Sequence, residues 1–177
     1  MLPGTGDRLG EWKVEGPLGD GGQANVYLGA RRGRRAAIKI FRPVDPQGVD
    51  PFGADRLDAE FRALETLDHP CVVRAIELGA DHQRRWFAME YVEGPTLQEA
   101  VESGRIRGVT SDTLALFLSL ADALQHVHHH GVFHRDLKPQ NIILRASDHS
   151  PVIVDFGVSL RWDLLGKNDR RTRQGVL

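Results

Sequence analysis

The chain has 177 residues, 41% hydrophobic and 27% charged, enough for one domain with a substantial core or for two small lobes. Its formal net charge of −1 at pH 7 argues against a general nucleic-acid or membrane-surface role. Cys71 is the only cysteine, which excludes an internal disulfide and permits a reducing, cytoplasmic setting.

The opening "MLPGTGDRLGEW" lacks the basic and apolar regions of a secretory signal, and residues 1–11 read as an N-terminal extension. Residues 12–41 alternate with the period of strands: "EWKVEGPL", a glycine cluster, "NVYLGAR", a turn at Gly33, then "RAAIKIF". The basic run Arg31 to Arg35 falls on that turn and reads as a solvated hairpin tip. "RPVDPQGVDPFG" reads as a loop. A helix is expected from Asp55 to about Leu67, with Leu57, Phe61, Leu64 and Leu67 on one stripe. "CVVRAIEL" and "RWFAMEYV" add two strands across the polar "GADHQRR". The first 92 residues thus predict a five-stranded antiparallel sheet with one helix. "EGPTL", residues 93–97, reads as a linker. Beyond it, Ser111 or Asp112 is expected to cap a long helix that runs to about His130 and stops at Gly131. The apolar Leu114 to Leu124 inside it is too short to span a bilayer and is interrupted by Asp122. Short strands "IIL" and "VIV" flank the turn "RASDHSP", and the polar "KNDRRTRQ" beyond Gly157 reads as a loop.

Chemistry concentrates in "HRDLKPQN", His134 to Asn141, and in the hairpin behind it. If "NIIL" and "VIVD" pair symmetrically about Asp148, Asn141 faces Asp155 with Cα atoms about 4.5–5.5 Å apart. A carboxamide oxygen and a carboxylate at that separation suit a hard cation such as Mg²⁺; the alternative is a surface hairpin with two ordinary polar ends. Asp136, in the loop before the hairpin, is a carboxylate placed to take a proton from an attacking hydroxyl. Lys138 is placed to neutralise charge on a transferring phosphoryl group. These parts answer to phosphoryl transfer, where positioning and charge neutralisation carry most of the catalysis. In "LGDGGQANVY", Gly19, Gly21 and Gly22 let backbone N–H groups approach phosphate oxygens. A strand rather than a helix follows, so this is not a dinucleotide-binding fingerprint. Lys39 shares a strand face with Ala37, which leaves space for a flat base beside an ammonium. Glu60 is the first candidate partner for Lys39, with Glu65 and Asp58 competing.

Taken in order, "GDGGQANV", "AAIK", a helix glutamate, "HP" at 69–70, "MEYVEG", "HRDLKPQN" and "DFG" resemble the catalytic domain of a bacterial-type serine/threonine protein kinase over residues 12 to 177. The resemblance implies an α+β, bilobal fold: an N-lobe over 12–92, a hinge over 93–97, and a partial C-lobe over 98–177 that ends within the activation loop. It implies ATP and Mg²⁺ as cofactors, and protein serine and threonine hydroxyls as acceptors. By it Asp136 is the catalytic base, Asn141 and Asp155 hold Mg²⁺, Lys39 contacts the α/β-phosphates, and Glu60 holds Lys39. Met89 is the gatekeeper, the backbone of Glu90 and Val92 meets the adenine edge, and Val26, Ala37 and Ile143 sandwich the base. Leu18, Gly19, Gly21 and Gly22 line the loop over the nucleotide, and Lys138 with Pro139 fits the serine/threonine pattern.

Two positions depart from that pattern: Ala24 replaces the third loop glycine, and Thr96 stands where many members carry an acid that touches the ribose. The resemblance explains His128 and His134 structurally, against a metal reading of the cluster His126, His128, His129, His130 and His134. It also implies that Arg135 can pair with a phosphorylated Thr172. Family members continue past "TRQGVL" with further helices, so a chain cut short there is expected to be poorly stable alone. Two alternative functions stand beside a kinase: a non-catalytic ATP-binding or interaction module, and a small-molecule phosphotransferase of the same fold. "HRDLKPQN" favours the protein kinase over the latter. No nucleic-acid partner or membrane segment is expected, and the sequence does not specify the protein substrate or the oligomeric state.

Overall fold

A computed structural model describes residues 2–20, 24–41, 53–80 and 85–156. In chain order the elements are β1 (Arg8–Leu9), β2 (Trp12–Asp20), β3 (Ala24–Arg31), β4 (Arg34–Phe41), α1 (Gly53–Glu65), β5 (Ala75–Ala80), β6 (Arg85–Glu90), α2 (Leu97–Glu102), α3 (Ser111–His129), a 3₁₀ turn (Pro139–Asn141), β7 (Ile142–Leu144) and β8 (Pro151–Ile153). The first six strands form one antiparallel sheet in the order β1-β2-β3-β4-β6-β5, and β7 and β8 form a separate hairpin.

The sheet has six strands rather than the expected five. The N-terminal stretch folds back at Gly10, whose φ is 58, so that Arg8 and Leu9 pair with Lys13 and Trp12. Gly6 N–H donates to Val14 O, and Leu9 is completely buried. Arg8 and Leu9 therefore add an edge strand to the sheet, where the sequence read as an extension. At the β3–β4 turn, Arg32 and Gly33 both take positive φ, 50 and 77, the geometry that matches the right-handed twist of a two-residue hairpin. The basic run is only partly a solvated tip. Arg32 is exposed, but Arg31 lies 4.2 Å above the Trp12 ring and pairs with Glu77.

The two faces of the sheet are buried differently. Leu9, Trp12, Val14, Tyr27, Ile38, Ile40 and Trp86 pack together on one face. Trp86 lies flat over Gly79, where an added Cβ would come within 2.1 Å of the indole. On the other face, Leu57, Phe61 and Leu64 of α1, with Leu67 just past the helix end at Glu65 rather than within it as expected, cover Ala37, Phe87 and Met89. That core continues into Leu120, Ala123 and Val127 of α3 and into Ile142, Val152 and Ile153 of the hairpin. Each such side chain contributes about 1.5–3 kcal/mol when fully buried. Cys71 O accepts from Ile153 N–H, and Ile153 O from Val73 N–H, so the segment after α1 ties the sheet to the hairpin.

Two helix starts differ from expectation. α2 begins inside the expected linker because Thr96 and Glu99 form a capping box: each side chain takes the other's backbone N–H. α3 is capped by Thr110, not Ser111 or Asp112, and ends before Gly131, whose φ is 70. On α3 the residues Leu114, Phe117 and Leu118 are more than half exposed, one helical stripe away from the buried Leu120, Ala123 and Val127. Apolar surface of this kind favours self-association. Replacing all three with glutamine is expected to lower the chain's light scattering while changing its unfolding free energy by no more than about 0.5 kcal/mol per site. Losses of several kcal/mol in denaturant melts would contradict their placement on the surface.

Candidate active site

Lys39 lies mid-strand in β4, opposite Val26 on β3 and Phe87 on β6. It is 4% exposed, and its Nζ lies 2.7 and 2.9 Å from the two carboxylate oxygens of Glu60 on α1. A third bond, 2.6 Å long, reaches Asp155 Oδ1 just beyond β8. The competing candidates are placed elsewhere: Asp58 pairs with Arg85, and Glu65 is exposed. Burial disfavours the Lys39 charge, but the Glu60 and Asp155 carboxylates outweigh it and hold the ammonium above its ordinary pKa. For Glu60, burial pushes the carboxyl up, and Lys39 opposes it.

The hairpin carries the second half of the site, in a register one residue from the expected one. Ile142 faces Ile153, and Val154 N–H donates to Asn141 O, so Asn141 opposes Val154 rather than Asp155. The cause is the turn. Arg145 N–H closes on Ser150 O, and Asp148 accepts from the Ser150 backbone N–H and hydroxyl, which shifts the centre of pairing toward Ser147. Asp155 has left the ladder, with φ of 60. This backbone conformation is uncommon for a side chain other than glycine's, and Arg135 shares it, also at 60.

Between these two strained positions, His134 is buried, with its ring 4.7 Å from that of Phe156. Its Nε2 lies 2.9 Å from Val154 O, and its Nδ1 takes the Asp136 backbone N–H at 3.3 Å. One nitrogen donating and the other accepting defines a neutral imidazole. Burial, which lowers its pKa, favours the same form. His134 thus anchors the Asp136 loop to the hairpin. Asp136 itself is exposed; Lys138 Nζ donates to its Oδ2 at 2.7 Å, and that bond holds the carboxyl below the usual range. Asn141 is buried, and its Nδ2 donates to Asp136 O at 2.8 Å. With the amide nitrogen fixed there, the carboxamide oxygen is the atom Asn141 has for a cation. Asp155, 48% exposed at its side chain, supplies a carboxylate. An amide oxygen and a carboxylate are the donors a Mg²⁺ ion takes when phosphates and water complete its shell, so the residues fit that group.

A narrow apolar wall separates these groups from the end of β6. Ala37 pairs with Met89 across β4 and β6, and both belong to the core with Val92, while Val26 and Ile143 are partly buried against it. Glu90 N–H donates to Arg74 O, and among the described residues Val92 makes no backbone–backbone hydrogen bond. Leu18 is 43% exposed, and Gly19 faces Val26 across β2 and β3. Ala24, at the third loop-glycine position, is a buried residue of β3. Thr96, at the ribose position, is occupied as the α2 cap. Gly21, Gly22, Thr172 and the basic stretch after Gly157 lie outside the described residues. His128 stacks on Phe133 at 5.1 Å, and among the described residues no group of three or more His, Cys, Asp or Glu is placed to hold a metal. Sequence reasoning missed one side chain here: Arg145 Nη1 donates to Glu90 Oε1 at 2.7 Å, a pairing that no motif spacing marks.

Residues 12–174 match the model of the protein kinase domain. The serine/threonine-protein kinase pkn2 of Myxococcus xanthus is 34% identical over 85% of this chain and 18% of its own length. The serine/threonine-protein kinase PrkC of Bacillus subtilis is also 34% identical, over 85% of this chain and 23% of its own length. The crystal structure of the Mycobacterium tuberculosis PknI kinase domain superposes with a TM-score of 0.72 at 26% identity, covering 89% of this chain and 62% of that one. The chain belongs to the protein kinase family and has its α+β fold, and it spans about a fifth of the length of the two curated relatives.

The Lys39 cluster makes a prediction that does not depend on catalysis. Lys39→Met leaves the buried Glu60 carboxylate uncompensated, which is expected to destabilise the chain by about 3–5 kcal/mol near neutral pH. Burial would then raise the Glu60 pKa with only the Phe156 backbone hydrogen bond opposing it. The folded state would bind the extra proton, so the variant regains stability as pH falls and loses it as pH rises through the raised value. The double variant Lys39→Met, Glu60→Gln should recover most of the loss. Additive losses in urea melts would contradict the coupling.

Proposed function

We propose that this chain carries the catalytic groups of a serine/threonine protein kinase, transferring the γ-phosphoryl group of ATP to serine and threonine hydroxyls of protein substrates in cytoplasmic signalling. The observation that carries the reading is the convergence of Lys39, Glu60 and Asp155 from three separate elements, beside Asp136, Lys138 and Asn141 in one loop. The boundary between the lobes falls in residues 93–97 on this reading, with 12–92 and 98–177 on either side. Oligomeric state does not enter it.

Each residue has a stated part. The Glu90 carbonyl and the Val92 N–H meet the adenine edge, and Val26, Ala37 and Ile143 close on its faces beside Met89. Leu18 with Gly19, Gly21 and Gly22 covers the nucleotide. Lys39, held by Glu60, reaches the α/β-phosphates. Asn141 Oδ1 and Asp155 would hold Mg²⁺, which would neutralise charge on the phosphate oxygens. Asp136 orients the acceptor hydroxyl and takes its proton as the hydroxyl oxygen bonds to the γ-phosphorus and the bond to the β–γ bridging oxygen breaks. Lys138 keeps Asp136 ionised until then and balances charge on the phosphoryl group. ADP leaves with the bridging oxygen.

The experiment is transfer of labelled γ-phosphate from Mg·ATP to a generic basic protein, followed by phosphoamino-acid analysis. Labelled serine and threonine support the reading. Mg·ATP binding without transfer supports a nucleotide-binding module instead, and label only on small-molecule alcohols supports the other alternative. Asp136→Asn is expected to lower turnover by ~10²–10⁴-fold with ATP affinity nearly intact. Unchanged turnover would remove Asp136 from the role of base.

A further inference from the structure

The segment after β6 is laced to the β7–β8 hairpin. Leu144 N–H donates to Pro95 O at 2.9 Å, and Ala146 N–H to Glu93 O at 2.7 Å. Gly94 approaches so closely that an added Cβ would lie 1.8 Å from Leu144 O. These backbone contacts fix residues 93–95. They do not reach Glu90–Val92, the part that meets adenine on the proposed reading. There Val92 is buried in the core shared with Ile142 and Leu144, and among the described residues the polar link is one side-chain pair: Arg145, the first residue after β7, donates from Nη1 to Glu90 Oε1 at 2.7 Å. The two side chains are 27% and 32% exposed, so solvent screens the pair only in part.

We propose that Arg145 is a positioning residue for the adenine base: by gripping the Glu90 side chain it fixes the Glu90–Val92 backbone relative to the hairpin that carries Asn141 and Asp155. Two features support this. Glu90 is already held on its β5 side by its N–H bond to Arg74 O, and Arg145 supplies the restraint from the hairpin side. Behind the pair lies a cavity of about 530 Å³ bordered by Glu90, Tyr91, Arg74 and Arg145. A tightly packed neighbourhood would hold Glu90 by itself; one bordered by open volume does not. Without Arg145, the Glu90 side chain has room to swing and the backbone near it to shift. Lys39, the phosphate-binding group on that reading, is held by Glu60 and Asp155 through a different set of bonds and is not affected.

The inference rests on the nucleotide reading, and the test separates the two. Calorimetry measures binding of Mg·ADP and of Mg·tripolyphosphate, which lacks a base, to the protein and its variants Arg145→Ala, Arg145→Lys and Glu90→Gln. Arg145→Ala and Glu90→Gln are expected to weaken Mg·ADP by about three- to tenfold and to leave Mg·tripolyphosphate within about twofold. Arg145→Lys should fall between them and wild type. The double variant Arg145→Ala, Glu90→Gln should lose no more than either single variant, because both remove one interaction. Equal weakening of both ligands makes Arg145 merely structural and overturns the proposal. So does unchanged Mg·ADP affinity in any variant that melts like wild type; if Arg145→Ala does not fold, Glu90→Gln and Arg145→Lys carry the comparison. A wild-type protein that binds neither ligand overturns the nucleotide reading and this inference with it.

Discussion

One buried ammonium organises the molecule. Lys39 is placed mid-sheet by the strand period of "AAIKIF", with its side chain on the face that α1 covers. A charge in that position is costly unless carboxylates meet it. Glu60 meets it from the helix and Asp155 from beyond the hairpin. The docking of α1 and the position of the chain after β8 are therefore fixed by a polar requirement as well as by apolar packing. The pair adds little net stability by this reasoning; its effect is to select one arrangement of three elements that Leu, Ile and Phe contacts alone would hold less uniquely.

The lower half of the site is fixed by backbone geometry. Arg135 and Asp155 both take positive φ, and the Asp155 carboxylate meets the Lys39 ammonium. His134 makes this tolerable. Its two nitrogens bind the hairpin through Val154 O and the loop through Asp136 N–H, so strain on either side is held by a buried, neutral ring. Asp136 remains in solvent, held by Lys138 and more loosely by the Asn141 amide, where an incoming hydroxyl can reach it. The order is that of a positioning device: rigid support underneath, ionised groups at the surface.

How much of this was legible in the sequence depended on the range of the signal. The strands and the α1 stripe were readable because period two and period 3.6 repeat over several turns. β1 was not, since two residues carry no period, and its formation depends on Gly10 and on the apolar face that Leu9 completes. α2 had a legible signal in Thr96 and Glu99, overridden by reading Gly94 and Pro95 as a linker; the glycine is there for close approach to Leu144. The hairpin register slipped by one because the turn bonds around Asp148 decide the centre of pairing, and symmetry about a residue does not. Asn141 and Asp155 remained at the same end of the hairpin all the same. Lys39 meets Glu60, the partner its spacing suggested, whereas the Lys39–Asp155 bond and the Arg31–Glu77 and Arg145–Glu90 pairs join distant elements without any local pattern.

On the proposed function the Lys39 cluster and the hairpin end form one site for a metal-bound triphosphate. A crystal structure of the protein with Mg²⁺ and a non-hydrolysable ATP analogue tests it most directly. The expected result is a cation bound by Asn141 Oδ1 and Asp155, a phosphate oxygen within hydrogen-bond distance of Lys39 Nζ, and adenine against Val26, Ala37 and Ile143. A nucleotide bound elsewhere, or a cation that touches neither Asn141 nor Asp155, would contradict it.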